Sequence, residues 1–248
     1  MTLTQFWKEN PKAAIAFSGG VDSAFLLYSA IRSGAEVKAY YAKTPFQPAF
    51  ELEDAKKLAR QLGAEMEILC VDILRVPKVA ENPGNRCYYC KTALFSAITA
   101  AAEKDGFTLI LDGTNASDDA DLRPGMQALK ELCVRSPLRE CDLTKPEIRR
   151  LSKEAGLFTH DKPAYACLAT RIPTGDAITP GKLSRTEDAE DFLHGLGLRD
   201  FRVRTLGDTA RIQVTVSDLE TVLKNRDAIL SRLKQSYSGV TLDLEVRP

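Results

Sequence analysis

The chain has no surplus of either charge. Its 34 Lys plus Arg are balanced by 34 Asp plus Glu among 248 residues, which leaves no mark of a polyanion-binding surface or a solvated charged tail. A large nucleic-acid partner is therefore disfavoured. No apolar run approaches about 18 residues, the length a spanning helix needs, and no basic segment leads into an apolar stretch at the start. Neither membrane insertion nor secretion is expected, and the expected location is cytoplasmic. Internal repeats and low-complexity tracts are also missing. With 44% apolar residues the chain can bury a core without staples, and its length suits one ordinary domain with a smaller companion. Six cysteines in that compartment read as buried small residues, metal ligands or reactive thiols rather than a disulfide framework.

What is present begins at Ala14-Ile-Ala-Phe-Ser-Gly-Gly-Val-Asp-Ser23, a buried strand running into a glycine-rich turn and then a helix. Ser18, Gly19 and Gly20 let successive backbone N–H groups converge on an anion at the positive end of the helix that starts near Asp22. A P-loop would also need Gly-Lys-Ser/Thr closing the turn, and neither that triplet nor its four-residue gap is here. The expected ligand is thus a phosphate group other than a transferring γ-phosphate. The segment Ser18 to Ser23, with Val21 and Asp22 inside it, resembles the Ser-Gly-Gly-x-Asp-Ser pyrophosphate loop of ATP pyrophosphatases.

Strand-like runs at 36–41, 65–71, 108–112 and 133–136 alternate with helical stretches at 22–33, 48–62, 86–104 and 144–155. The last of these opens with Thr144 and Glu147 in capping-box spacing. Such alternation implies an α/β fold with a doubly wound parallel sheet. Ligands of such sheets lie beyond the carboxyl ends of the strands, where Ser18 to Ser23, Gly113 to Pro124 and the segment before Cys87 are expected to meet. From about Pro163 the texture changes. A hairpin signal at Gly207-Asp208 between alternating runs 201–206 and 211–216 marks a smaller α+β unit, giving expected domains 1–163 and 164–248.

Cys87 and Cys90 are three apart in Arg86-Cys-Tyr-Tyr-Cys-Lys91, so a helix there puts both thiols on one face. Arg86, Lys91 and the helix N-terminus favour thiolate. Two cysteines do not complete a zinc site, and Cys167 is the candidate for a third ligand. Three readings stand: a three-thiolate [4Fe–4S] cluster with one open iron that can hold an extra sulfide; a reactive Cys167 activated by Arg171 with Cys87 and Cys90 structural or redox-active; and three small buried residues. Cys70 and Cys133 sit in apolar strand patterns and are expected in the core, and Cys141 has no partner signal.

The set Ser18-Gly-Gly-Val-Asp-Ser23, Asn85-Arg-Cys-Tyr-Tyr-Cys-Lys91, Asp112-Gly-Thr-Asn115, Asp121-Leu-Arg-Pro-Gly125 and Cys167-Leu-Ala-Thr-Arg-Ile-Pro-Thr-Gly175 covers nearly the whole chain and resembles the LarE family of ATP-dependent sulfur transferases. The resemblance implies a part in making the nickel-pincer nucleotide, with pyridinium-3,5-biscarboxylic acid mononucleotide as substrate. Some members sacrifice the sulfur of one cysteine at the position of Cys167. Others carry two more at the positions of Cys87 and Cys90 and use a cluster, and having all three implies the cluster type.

Adenylation of a carboxylate supplies a leaving group, and the loop holds the pyrophosphate formed. Sulfur then attacks and AMP leaves. ATP and Mg²⁺ are the implied cofactors beside the cluster, with Asp22 as Mg²⁺ ligand and catalytic residue, and with Gly113, Thr114, Asn115 and Asp119 in the nucleotide loop. Cys167 and Arg171 are the other catalytic candidates. Arg171, Arg202, Arg204 and Arg247 are the cations expected to take the substrate's phosphate and carboxylates, Arg202 and Arg204 sharing one face of a strand. Glu187 and Glu190, three apart on one helix, read as a metal or acid/base pair or as a solvated face. Gln213 stands where related sequences often carry an acid. A homo-oligomer with a small-molecule nucleotide substrate and no nucleic acid or membrane partner is the expected context. The rival classes are tRNA thiolation, which needs an RNA surface, an amide-forming ligase, in which the cysteines are idle, and a nucleotide-fold module that only binds a metal or cluster.

Overall fold

A computed structural model describes residues 1–118, 124–163 and 165–247. It separates into two compact units, Met1–Val79 with Asn85–Ala164, and Ala80–Gly84 with Tyr165–Pro248. The first unit is built on four strands, β1 Lys12–Ala16, β2 Glu36–Lys43, β3 Met66–Cys70 and β4 Ile110–Leu111, in the order β3-β2-β1-β4. Every pairing is parallel, so each crossover carries helix. The doubly wound α/β fold read from the alternation is the fold observed. The run at 133–136 contributes only a parallel bridge from Arg135 to Leu111.

The helices of this unit are α1 Leu3–Glu9, α2 Val21–Arg32, α3 Ala49–Leu62, α4 Pro77–Ala80, α5 Arg86–Lys104, α6 Pro124–Glu131, α7 Pro137–Glu140 and α8 Lys145–Glu154. One side of the sheet buries Ile15, Leu26, Leu27 and Leu58 in a single cluster, and the other buries Ala14, Tyr40, Phe95 and Ile98 in a second. Each fully buried Leu or Ile contributes about 1.5–3 kcal/mol. Both faces of β1 are thereby covered, which is why Ala13, Ala14 and Ile15 form an unbroken apolar run rather than an alternating one. At the start of α8, Glu147 accepts from the Thr144 amide at 3.0 Å.

In the second unit β5 Phe201–Leu206 and β6 Thr209–Val214 form an antiparallel hairpin around Gly207-Asp208, and β7 Gly239–Leu242 pairs parallel with β6. Helices α9 Pro180–Gly195, α10 Leu219–Lys224 and α11 Arg226–Leu233 pack Leu193, Ile229 and Leu233 against Val203, Ile212 and Val214. The segment Ala80–Gly84, read from sequence as part of the first domain, gathers with this unit. Asn82 Nδ2 donates to the Pro173 and Asp176 carbonyls at 2.8 and 3.2 Å, and its own carbonyl accepts from the Gly175 amide at 2.8 Å.

Cys70 and Cys133 depart from expectation, since both are exposed. Cys70 ends the edge strand β3. Cys133 lies just beyond α6 at φ 54°, where the chain turns instead of extending, so the apolar pattern around it does not become a strand. The six cysteines form no disulfide.

Candidate active site

In the first unit β1 stops at Ala16 and α2 begins at Val21, leaving Phe17 to Gly20 to reverse the chain. Gly19 has φ 73°, and a Cβ there would lie 2.9 Å from the Ala55 Cβ, so only glycine fits. The two serines tie the turn: Ser23 Oγ accepts from the Ser18 amide at 3.2 Å and donates to the Gly20 carbonyl at 3.2 Å, while Ser18 Oγ accepts from the Gly20 amide at 3.3 Å. Among the described residues the amides of Val21, Asp22 and Ser23 meet no acceptor, as the first turn of a helix requires, and with the helix dipole they form an anion cradle. Gly113 brings the second loop against this turn. A Cβ at Gly113 would sit 2.8 Å from the Ser23 nitrogen.

The Gly113 to Asn115 loop is pinned from below by Asp112. Its buried carboxylate accepts from Ser136 Oγ at 2.6 Å, Thr114 Oγ1 at 2.5 Å and the Thr114 amide at 3.2 Å. Asn115, also buried, donates through Nδ2 to Asp22 Oδ1 at 3.3 Å. Asp22 Oδ2 is hydrogen-bonded to Lys145 Nζ. A cavity of about 310 Å³ opens beside the turn, lined by Ser18, Asp22, Gly113, Thr114, Glu51 and Lys91, among others. Burial pushes the Glu51 carboxyl up, against the pull of Lys162 at 3.3 Å. Asp119 lies outside the described residues.

The motifs single out neither Lys145, Glu51 nor Asp118, and they read Lys91 only as a neighbour of the cysteines, although Lys91, Glu51 and Asp118 line the cavity. Lys145 is the first residue of α8, and its helix start is readable but its neighbour is not. Lys91 reaches the cavity from α5. Gly125 makes room for it, since a Cβ there would come within 2.9 Å of the Lys91 Cδ. No ion pair to Lys91 is formed among the described residues, so its charge is available to an anion.

Cys87 and Cys90 lie in the first two turns of α5, and Leu94 and Ile98 of the same helix line the cavity. Cys87 is exposed, with Arg86 Nη2 3.8 Å from its sulfur, and Cys90 is half-buried. Among the described residues no three His, Cys, Asp or Glu side chains are grouped as metal ligands. The chemistry of the donor set, three thiols with two on one helical face, suits a thiolate-bound cluster.

In the second unit Cys167 is half-buried and caps a short 3₁₀ turn, Leu168–Arg171. Arg171 does not face solvent as an open anion receptor. It is 1% exposed and pairs with Glu190 at 2.8 Å, so the solvated-face reading of Glu190 is also corrected: α9 turns that carboxylate inward. Arg202 and Arg204 do share a face of β5, Arg202 buried and Arg204 half-buried. Burial, then repulsion from neighbouring arginines, lowers the pKa of both below the ordinary guanidinium value. Arg247 pairs with Asp200 at 3.0 Å. Gln213 accepts from Arg204 Nε at 2.8 Å and donates to Asp243 at 2.7 Å, a neutral bridge between charges. An anion added beside Arg202 and Arg204 would relieve the repulsion that each of them feels from Arg171 and Arg247.

A parallel sheet whose first strand runs into a Ser-Gly-Gly-Val-Asp-Ser anion cradle defines the class of PP-loop ATP pyrophosphatases. Residues 12–81 match the family model described as queuosine biosynthesis protein QueC. An uncharacterized protein of Synechocystis sp. is 39% identical over 98% of this chain and 92% of its own. The pyridinium-3,5-bisthiocarboxylic acid mononucleotide synthase of Lactiplantibacillus plantarum is 32% identical over 98% of this chain and 89% of its own. The tRNA-specific 2-thiouridylase MnmA of a Thermotoga species is 29% identical over 61% of this chain and 54% of its own. The chain belongs to the LarE family of sulfur transferases within the PP-loop ATP pyrophosphatases.

Proposed function

We propose that this protein adenylates the carboxylates of pyridinium-3,5-biscarboxylic acid mononucleotide and converts them to thiocarboxylates, a step toward the nickel-pincer nucleotide. The observation that carries the reading is the cradle of Gly19, Gly20 and the first-turn amides opening onto a cavity with Asp22. A carboxylate resists attack because its leaving group is oxide, and transfer of AMP to it replaces oxide with a phosphate ester. The cradle and Lys91 stabilise the pyrophosphate that departs. Mg²⁺ typically takes one or two carboxylates plus phosphate oxygens, and Asp22 and Asp118 in the cavity wall supply such a set. Sulfur attacks the acyl carbon, the carbon–oxygen bond to AMP breaks, and AMP leaves with the electron pair.

Arg202, Arg204 and Arg247 are the cations we assign to the substrate's phosphate and carboxylates, in keeping with the depressed Arg202 and Arg204. Cys87, Cys90 and Cys167 are the residues that would hold a [4Fe–4S] cluster, which when bound supplies an open iron for an additional sulfide. We take the protein to act in the cytoplasm as a homo-oligomer on a small-molecule nucleotide, without nucleic acid. Its even charge balance supports the last point.

The test is anaerobic incubation with ATP and the biscarboxylate mononucleotide, following AMP, pyrophosphate and thiocarboxylate together with the mass of the protein. A brown protein with about four irons that yields thiocarboxylate with Cys167 intact supports the cluster route. Loss of hydrogen sulfide from Cys167, once per chain in an iron-free preparation, replaces it with the sacrificial route. No AMP with this substrate defeats the whole reading.

A further inference from the structure

Glu190, read from sequence only as one of a pair with Glu187, is 5% exposed in the middle of α9. A buried carboxylate is costly unless donors surround it. Four do. Arg171 Nε reaches Oε1 at 2.8 Å and Arg171 Nη2 reaches Oε2 at 3.0 Å, a two-pronged fork. Tyr165 Oη donates to Oε2 at 2.5 Å, and the Val203 amide donates to Oε1 at 2.9 Å. The tyrosine ring lies 4.7 Å from the Arg171 guanidinium, so two buried charges and a half-buried ring lock one another.

The fork leaves Arg171 Nη1 directed away from Glu190. It donates to the Ala166 carbonyl and to Thr170 Oγ1, both at 2.8 Å, and more distantly to the Cys167 carbonyl at 3.4 Å. Thr170 then donates to the Cys167 carbonyl through Oγ1 at 2.8 Å and through its amide at 2.9 Å. These bonds use only backbone atoms of Cys167. The carbonyls on both sides of its α-carbon are held, in a stretch with no strand or α-helix to hold them otherwise. Burial opposes the Arg171 charge, and the Glu190 hydrogen bonds and charge overcome it, so the guanidinium stays a fixed cation.

We propose that Glu190 and Tyr165 are positioning residues for sulfur transfer, acting through Arg171 to fix the backbone of Cys167. The inference rests on the sulfur-transfer reading above. Transfer competes with water for the acyl adenylate: sulfur attack gives thiocarboxylate and AMP, and water attack returns the carboxylate with AMP. A sulfur atom held in place wins this contest by orientation, whereas the adenylating residues all lie in the first unit. Loosening the clamp therefore uncouples the two half-reactions rather than slowing both.

The experiment measures AMP released per thiocarboxylate formed, for the wild-type chain, Tyr165→Phe and Glu190→Gln, with melting temperatures recorded alongside. Tyr165→Phe removes a single hydrogen bond and keeps the ring, so it is the variant that folds if Glu190→Gln does not. The expected result is AMP release within a factor of about two of wild type and a ratio raised on the order of tenfold, larger for Glu190→Gln. A merely structural role lowers both products in parallel with the folded fraction, and that outcome, or an unchanged ratio, overturns the proposal. If the wild-type chain itself releases no AMP, the sulfur-transfer reading falls and takes this one with it. Coupled turnover in the wild type with the same ratio in both variants sinks the positioning role alone.

Discussion

The ammonium of Lys145, the first residue of α8, is hydrogen-bonded to the carboxylate of Asp22 in the first turn of α2, across 123 residues of chain. Asp22 is the residue of this pair that lines the cavity beside the pyrophosphate turn. The pair brings a cation to a loop whose own sequence has none.

Replacing Lys145 with Met should lower kcat/KM for AMP formation by about 10- to 100-fold, because a cation facing the phosphates is lost. Stability should barely change, since a pair with side chains 30% and 22% exposed contributes about 0–1 kcal/mol. Steady-state assay and thermal melting check this together. A matching fall in melting temperature and activity would make the lysine structural.

Gly113→Ala should damage the cradle from the other side. Its Cβ would lie 2.8 Å from the Ser23 nitrogen, where backbone and not a flexible side chain must move. Overpacking of this kind costs about 1–3 kcal/mol, and ATP binding by calorimetry should weaken at the same time. Gly84→Ala meets nothing within 4 Å and serves as the control that leaves both measurements unchanged.

Acid stability should report on Asp105, whose carboxylate accepts from Lys38 Nζ and Tyr40 Oη, each at 2.6 Å. The Lys38 hydrogen bond first, then that of Tyr40, holds it below its ordinary 3.8. A depressed folded value means that the stabilisation is complete above 3.8 and disappears as pH falls through the folded value. Urea midpoints of wild type and Asp105→Asn should therefore differ at neutral pH and converge as the pH falls through the folded value, below 3.8. A gap independent of pH would remove the carboxylate charge as its source.

The thiols should separate by reactivity. Burial pushes the Cys141 thiol up, whereas Cys70 and Cys133 are exposed. At about pH 7.5, iodoacetamide should label Cys141 on the order of tenfold more slowly than either, because thiolate fraction and access both fall. Peptide mass mapping of a time course reads this directly.

The turn at Ser18 to Ser23, the capping box at Thr144 and the hairpin at Gly207 are local, and their chemistry was legible because each depends on residues within a few positions. The helical pair Cys87 and Cys90 was legible for the same reason. By itself the sequence determined the α/β class, the anion cradle and the family to which the motifs belong. Only the tertiary structure decided that Lys145 meets Asp22, that Lys91 and Glu51 line the cavity, that Cys70 and Cys133 leave the core, and that Arg171 is spent on Glu190 rather than open to an anion. Those outcomes turn on burial and on contacts between segments far apart in the chain. A charged side chain reads the same in sequence whether it ends in water or in a buried pair, and only packing distinguishes the two.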